Sequence, residues 1–467
     1  MVVQDVCKRC RQGQVSVLSR KEPFCNDCFS KFVSAKQRKQ MMCEPYCQDV
    51  FKVLYQDKVR SEAESVEQNA HSKVLVPLSF GSSSVVLLDI LNDTLTEQKE
   101  TQRGKTGFHI DVLVCGRDQD DIVRYREMAD RLLSERYASN REKIKFHFLS
   151  VESFYKDCGG ELDTILVDSA DFSSRSIVEN GELNREFGVE DLLKQCPDRS
   201  SRQDLLTILS SRLIKKFAYQ NKHKIILWGH SMTKLADETI SLVVKGRGSQ
   251  IASMLSIDEC DPLFDNSFKN LYPLQDVLLS EIDAYCYIKH LDPFMIDYIP
   301  QDTLLVEKQR NPELVSAPRS VKNLTLNEIA RKYFDDVEAD YSNVISTVVR
   351  TALKLGEPET PKPERCSICR ANVHMDPSEY LQTITVSENH PIETTEESAL
   401  YDKWNESQFS NQKIENTTLR DSIPQKAVST SLCYGCLINV NRMKGRKLTW
   451  PQHSKSELET ILDAFEL

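Results

Sequence analysis

The chain has 467 residues, 40% of them hydrophobic and 28% charged, with a formal net charge of -10 at pH 7. That length suggests about three domains, and that composition an ordinary globular core. The acidic balance excludes attraction of the whole surface to nucleic acid, whereas local basic patches still act within a screening length of about 8–10 Å.

The first residues, MVVQDVCKRC, lack the basic and apolar layout of a secretory signal, and no run of about eighteen apolar residues occurs. The expectation is a cytoplasmic protein with no membrane span. Eight of the 15 cysteines fall in four CxxC pairs. In a reducing compartment that pattern argues for thiolate metal ligands over a disulfide framework.

Residues 1–50 open with Cys7-Lys8-Arg9-Cys10 and Cys25-Asn26-Asp27-Cys28. Two knuckles at this spacing can set four thiolates tetrahedrally around a structural zinc. About fifty residues bury little core, so the metal would supply the missing folding energy. A helix is expected from Phe29 to Met42, with Lys31, Lys36, Arg38 and Lys39 as candidate contacts to a nucleic-acid phosphate backbone; a solvated helix face explains them equally.

Residues 70–291 alternate apolar strands with helix-length segments, the pattern of a mostly parallel sheet covered on both faces. Val74, Leu75, Val76 and Leu78 lead into Ser79-Phe80-Gly81-Ser82-Ser83-Ser84, and a helix follows from Val85. Amides at such a helix N-terminus favour an anion, although Phe80 sits where close phosphate approach wants glycine. Further strands are expected at His109–Cys115, Lys145–Ser150, Thr164–Val167 and Lys224–Gly229, with helices at Ile122–Ala138 and Arg202–Gln220. Strand-end loops carry Cys196-Pro197-Asp198-Arg199, Gly229-His230-Ser231-Met232-Thr233-Lys234 and Lys245-Gly246-Arg247-Gly248.

A helical extension is expected over 292–356, and a linker with a second four-cysteine module over 357–467. Gly356 to Arg365 is rich in proline and charge. Cys366, Cys369, Cys433 and Cys436 are the candidate ligands of a second zinc, closed across an insert of about 375–431 whose Ser, Thr, Glu and Asn content reads as disordered. Arg442, Lys444, Arg446 and Lys447 follow as a second basic cluster.

The order of loop, cysteine, Gly-His and Arg-Gly motifs resembles the PP-loop ATP pyrophosphatase superfamily, a Rossmann-like, HUP-type fold, and in particular its tRNA 2-thiolation branch. The chain departs from that pattern at its chemical positions. Phe80 stands in place of a loop Gly and Ser83 in place of an Asp. Cys196 keeps the first cysteine of a CxxC whose second is Arg199, and Thr233 and Lys234 replace two acids after Gly229 and His230.

With the flanking CKRC, CNDC and LCYGC pairs and the loop SFGSSSVVLLD, the chain resembles the cytoplasmic tRNA 2-thiolation protein 2 family. The resemblance implies a non-catalytic subunit in a heterodimer with the catalytic cytosolic tRNA thiouridylase. That complex 2-thiolates the wobble uridine of lysine, glutamate and glutamine tRNAs, with sulfur from a ubiquitin-related modifier of the protein urmylation pathway. Ser79, Gly81, Ser82, Ser83, Ser84 and His230 would be a nucleotide-binding relic, ATP at most vestigial, and Cys196 the one candidate catalytic thiol. Alternatives are an ATP-dependent tRNA sulfurtransferase in its own right and a zinc-dependent interaction adaptor.

Overall fold

A parallel sheet buried on both faces needs apolar side chains at consecutive strand positions, and Val74, Leu75 and Val76 meet that need. The computed structural model describes residues 6–53, 72–156, 162–170, 173–180, 187–256, 260–308, 321–341, 343–360, 363–385, 392, 394–405 and 427–451. They divide into two units: Met1–Phe154, Arg202–Val244 and Gly248–Glu357 form one, and Tyr155–Ser201, Lys245–Arg247 and Pro358–Leu467 the other.

The first unit begins with a hairpin of β1 (Val17–Ser19) and β2 (Glu22–Phe24), then runs through β3 (Lys73–Pro77), β4 (His109–Gly116) and β5 (Ile144–Ser150). The chain next forms β6 (Leu162–Ala170) and β7 (Ser173–Asn180) of the second unit, and returns with β8 (Ile225–Leu227) and β9 (Lys269–Leu271). The first-unit strands from β3 onward make one parallel sheet in the order β5-β4-β3-β8-β9. That order is the doubly wound, Rossmann-like α/β arrangement, with its switch point between β3 and β8.

Side chains alternate across the sheet. Val74 and Val76 share a core with Val85, Leu88 and Ile282 of the helices Ser82–Thr101 and Leu279–Lys289. Leu75 on the opposite face packs with Ile214 and Ala218 of the helix Arg199–Gln220. The helices Leu326–Tyr341 and Asn343–Ala352 cover the helix Met232–Val244 through Phe334, Ile345 and Val349.

In the second unit, β10 (Glu364–Arg365) and β11 (Asn372–Val373) form a hairpin, and β12 (Ala427–Ser429) and β13 (Lys447–Pro451) flank the earlier pair in an antiparallel sheet ordered β12-β7-β6-β13. Thr164–Val167 is therefore a strand, but not one of the parallel sheet. Its antiparallel partners are the next strand, β7, and the remote β13. The stretch 375–431 carries the helices Pro377–Thr385 and Thr395–Asn405 besides β12. Its residues 386–391, 393 and 406–426 lie outside the described residues.

The N-terminal cysteine module is fixed to the sheet within the first unit. Val17, Phe24, Phe29 and Val33 belong to the same core as Val85 and Ile282. Above that core the fully buried Glu281 accepts hydrogen bonds from Ser19 Oγ (2.8 Å), Arg20 Nε (2.8 Å) and Leu278 N–H (3.0 Å), and lies 3.4 Å from Lys36 Nζ. Burial raises its carboxyl, but Lys36 and Arg20 outweigh it and hold it below the ordinary value. Burial likewise draws the Lys36 ammonium down to about 8, against the pull of Glu281.

Replacing Glu281 by Ala leaves buried donors without their acceptor and is expected to cost about 3–5 kcal/mol. Denaturant unfolding measures it. The double change Glu281→Ala with Lys36→Met should recover part of the loss, and a single-variant loss below about 1 kcal/mol would show that Glu281 does not fasten the module.

Candidate functional site

Three places gather chemistry: two cysteine centres and the loops at the sheet's switch point. In the first centre, the chain folds back after Cys7, with Cys7 N–H donating to Gly13 O (2.9 Å) and Arg11 N–H to Cys7 O (2.9 Å). Arg11 adopts a left-handed conformation (φ 57°) to close this turn. Gly13 N–H then donates to Cys10 Sγ at 3.3 Å. A Cβ on Gly13 would lie 2.8 Å from Cys25 Cβ, so only glycine fits against the centre. Cys25 precedes the helix Asn26–Met41 and Cys28 sits in its first turn; burial raises the Cys25 thiol and pushes Cys28 up to about 12. Burial raises the Cys7 thiol, yet N–H donors of Cys10, Cys25 and Arg9 outweigh it and bring it down to about 6.

The second centre repeats the plan. Cys366 N–H donates to Ala371 O (2.9 Å), Arg370 N–H to Cys366 O (2.9 Å), and Arg370 is left-handed (φ 65°). Cys433 precedes the helix Tyr434–Asn441, which carries Cys436. In both centres, then, a CxxC-Arg turn faces a CxxC at a helix start. A difference lies in Arg247, which is buried and donates from Nη2 to Cys436 Sγ at 3.2 Å. A Cβ on Gly435 would stand 2.4 Å from Arg247 Nε, so glycine admits the guanidinium.

Both sulfur sets fit a metal ion. The four Sγ atoms of each lie within 4.8 Å of one another. The Cys10–Cys25 and Cys369–Cys433 separations are 3.8 and 3.7 Å. A tetrahedron with Zn–S bonds of about 2.3 Å has an edge of about 3.8 Å. Thiolates so close repel one another unless a cation lies among them, and a tetrahedral S4 set suits zinc or iron.

At the switch point, Gly229 after β8 abuts the start of the helix Ser82–Thr101: a Cβ there would lie 2.9 Å from Ser84 Cα. Phe80 is left-handed (φ 55°), and its ring is fully buried and stacked on Tyr125 at 5.4 Å. Ser79 and Ser84 hydroxyls are 3.2 Å apart, and Ser84 Oγ donates to Gly81 O (3.0 Å). Ser82 is buried and bonds the buried Asp283, which also accepts from Tyr298 (2.8 Å) and Gln301 N–H (2.9 Å). Burial pushes Asp283 up to about 6.

His230 stacks on Tyr272 (5.5 Å), with Nδ1 3.5 Å from Glu238. Burial lowers its pKa and leaves the ring neutral at pH 7. Thr233 Oγ1 accepts from Leu279 N–H (3.0 Å), and Lys234 Nζ lies 3.2 Å from both Asp237 and Glu238. Sequence reasoning missed Asp237, Glu238 and Asp283. The first two, in Ala236-Asp237-Glu238-Thr239, were legible one helical turn past Lys234, whereas Asp283 is remote in sequence and carries no local signal.

Cys196 is buried in the second unit, its thiol donating to Leu192 O (3.3 Å). Lys31 and Lys39 are exposed, while Lys36 is engaged with Glu281 and Arg38 with Glu97. Arg442, Lys444 and Arg446 are exposed on the turn between the helix Tyr434–Asn441 and β13, and Lys447 is exposed at the start of β13.

A family model described as cytoplasmic tRNA 2-thiolation protein 2 matches residues 325–438. Proteins of that name from Vanderwaltozyma polyspora and Candida glabrata are 46% and 43% identical; the alignments span 99% of this chain and 97% and 99% of theirs. The Saccharomyces cerevisiae protein of that name is 39% identical, over 99% of this chain and 98% of its own. The chain belongs to the cytoplasmic tRNA 2-thiolation protein 2 family. The cytoplasm in the family's name agrees with the location expected from the sequence. Among solved structures, the U34-tRNA thiolase of Methanococcus maripaludis with its 4Fe–4S cluster is similar at 15% identity and a TM-score of 0.49, covering 84% of this chain and all of that one. Among the described residues, no helix is long and apolar enough to cross a membrane.

If each centre holds one metal ion, metal analysis of the purified chain gives two per molecule, and Cys10→Ser or Cys369→Ser each gives one. Unchanged metal content in either variant would remove that centre as a metal site.

Proposed function

We propose that this family member is a non-catalytic subunit of the cytosolic tRNA 2-thiolation complex. It pairs with a catalytic thiouridylase that modifies the wobble uridine of lysine, glutamate and glutamine tRNAs, with sulfur delivered on a ubiquitin-related modifier. The observation that carries the reading is the filling of the switch-point crevice by the protein's own groups. Phe80 takes a place that phosphate approach needs open, Ser82 is engaged with Asp283, and Lys234 is held between two carboxylates. A nucleotide triphosphate brought there would meet buried carboxylates in place of free donors, which makes ATP binding vestigial.

The two cysteine centres are structural zinc sites in this reading, because each metal would be closed by four protein thiolates with no position left for a substrate. Buried Cys196, bonded to Leu192 O, performs no sulfur transfer. Contacts with tRNA phosphates fall to Lys31 and Lys39 on the first module and to Arg442, Lys444, Arg446 and Lys447 on the second. Lys36 acts inside the fold through Glu281, and Arg38 pairs with Glu97 at the surface.

Deleting the chain from cells should abolish 2-thiouridine in the three tRNAs, read by mass spectrometry of digested tRNA. A tagged chain should bring down an ATP-dependent thiouridylase. The purified chain alone should release no pyrophosphate from ATP with tRNA present; robust turnover would reverse the assignment and make it a sulfurtransferase itself.

A further inference from the structure

A lysine stands at or just before the start of three strands of the parallel sheet, in line with His109, whose pKa is drawn down by burial and by Lys143. Lys73 on β3 is the register partner of His109 on β4. Ile110 pairs with Ile144, and Val74 with Ile225, so Lys143 and Lys224 continue the row on either side. The contacts agree: Lys143 Nζ lies 3.2 Å from His109 Nε2, and Lys224 N–H donates to Lys73 O (3.0 Å). With strands about 4.8 Å apart, the row spans roughly 14 Å.

Like charges on neighbouring strands repel, so Lys73 and Lys224 are favoured by an anion that joins them at the edge. The row's internal carboxylates are few. Asp111 is engaged by His223 (2.9 Å) and lies 3.3 Å from His147, and Glu142 pairs with Lys99. Lys73 and Lys224 are exposed, and neither has a carboxylate within ion-pair distance among the described residues.

Beside Lys224 opens a cavity of about 530 Å³ lined by Tyr46, Tyr219, Lys222 and His223. Lys222 is exposed and left-handed (φ 56°) just past the end of the helix Arg199–Gln220. A helix C-terminus accounts for Lys222 alone, but not for cations that start strands. Two tyrosine rings among cations are the means by which proteins stack an unpaired base beside its phosphates.

We propose that the amino edge of the parallel sheet, centred on Lys73, Lys222 and Lys224, is a docking surface for the phosphate backbone of RNA. It lies at the opposite end of the strands from the switch-point loops, and its cations belong to neither basic cluster flanking the cysteine centres. The inference rests on the reading of the chain as a tRNA-modifying subunit and names where that subunit holds its RNA.

The test uses the full-length chain with its metal, copurified with its partner, and bulk tRNA as the probe. The triple variant Lys73→Gln, Lys222→Gln, Lys224→Gln is compared with Lys322→Gln, Lys332→Gln, Lys354→Gln, which makes the same charge change elsewhere. The first should weaken binding about tenfold or more near 100 mM salt and flatten the slope of log K against log salt by about 2–3, from roughly 0.7–0.9 per phosphate contact. The second should change neither.

Equal losses in both triples, or none in the first, would overturn the proposal. So would loss of a protein partner with tRNA affinity intact, which would make the edge a protein contact. Cellular 2-thiouridine separates the two levels. If the wild-type chain supports thiolation and the first triple keeps both thiolation and tRNA affinity, only the docking surface is wrong. If loss of the chain leaves thiolation intact, the functional reading fails and the inference with it.

Discussion

A carboxylate with no exposure is costly unless its charge is matched and its lone pairs are filled, and Glu281 meets both conditions with groups from two parts of the chain. Leu278 N–H comes from its own helix start, while Ser19, Arg20 and Lys36 come from the N-terminal cysteine module. Neither part can satisfy the charge alone. The module's position against the sheet is thereby tied to the integrity of its four-cysteine centre, because the hairpin that carries Ser19 and Arg20 lies between the two cysteine pairs. The same interaction redefines the helix Asn26–Met41: Lys36 is drawn inward to hold the fold, Arg38 pairs with Glu97 at the surface, and Lys31 and Lys39 face solvent.

The switch-point loop is held by the protein's own buried groups. A residue other than glycine in the left-handed region is disfavoured by roughly 1–2 kcal/mol. Phe80 offsets this by burying its ring against Tyr125 and by lending its carbonyl to Ile296 N–H (3.0 Å). The helix start that would face an anion instead faces Asp283 through Ser82. Each substitution suits the others, because a buried ring excludes water and a low dielectric strengthens the internal charge pairs. Restoring a single glycine at position 80 would open space without removing the carboxylates.

Much of the first unit was legible in the sequence, because parallel strands write themselves as short apolar runs and the CxxC spacing has few other uses. Thr164–Val167 had the same local appearance as the sheet strands. Its ladder is set by Lys447–Pro451 and Ser173–Asn180, and a run of four residues says nothing about which remote segment will pair with it. Lys36 and Arg38 looked identical to Lys31 and Lys39, since helical spacing shows which residues share a face but not that Glu281 and Glu97 wait opposite. The row formed by Lys143, His109, Lys73 and Lys224 escaped notice for the converse reason: each is a single residue at a strand start, and only the register joins them.

The second unit places a heavier demand on long-range order than the first. Its centre requires residues 245–247, 366–369 and 433–436 to meet, and each closure of a long loop costs conformational entropy that grows slowly with length. Four thiolates around a divalent ion carry a net charge of about -2, which burial makes unfavourable. Arg247 supplies a compensating charge inside the unit, and Gly435 leaves the space for it. A metal bound there would draw the loops together with its binding energy, and the guanidinium would make the resulting anionic centre tolerable away from water. Arg247, which in the sequence was read as part of an Arg-Gly motif in a strand-end loop, thus lies against the second cysteine cluster.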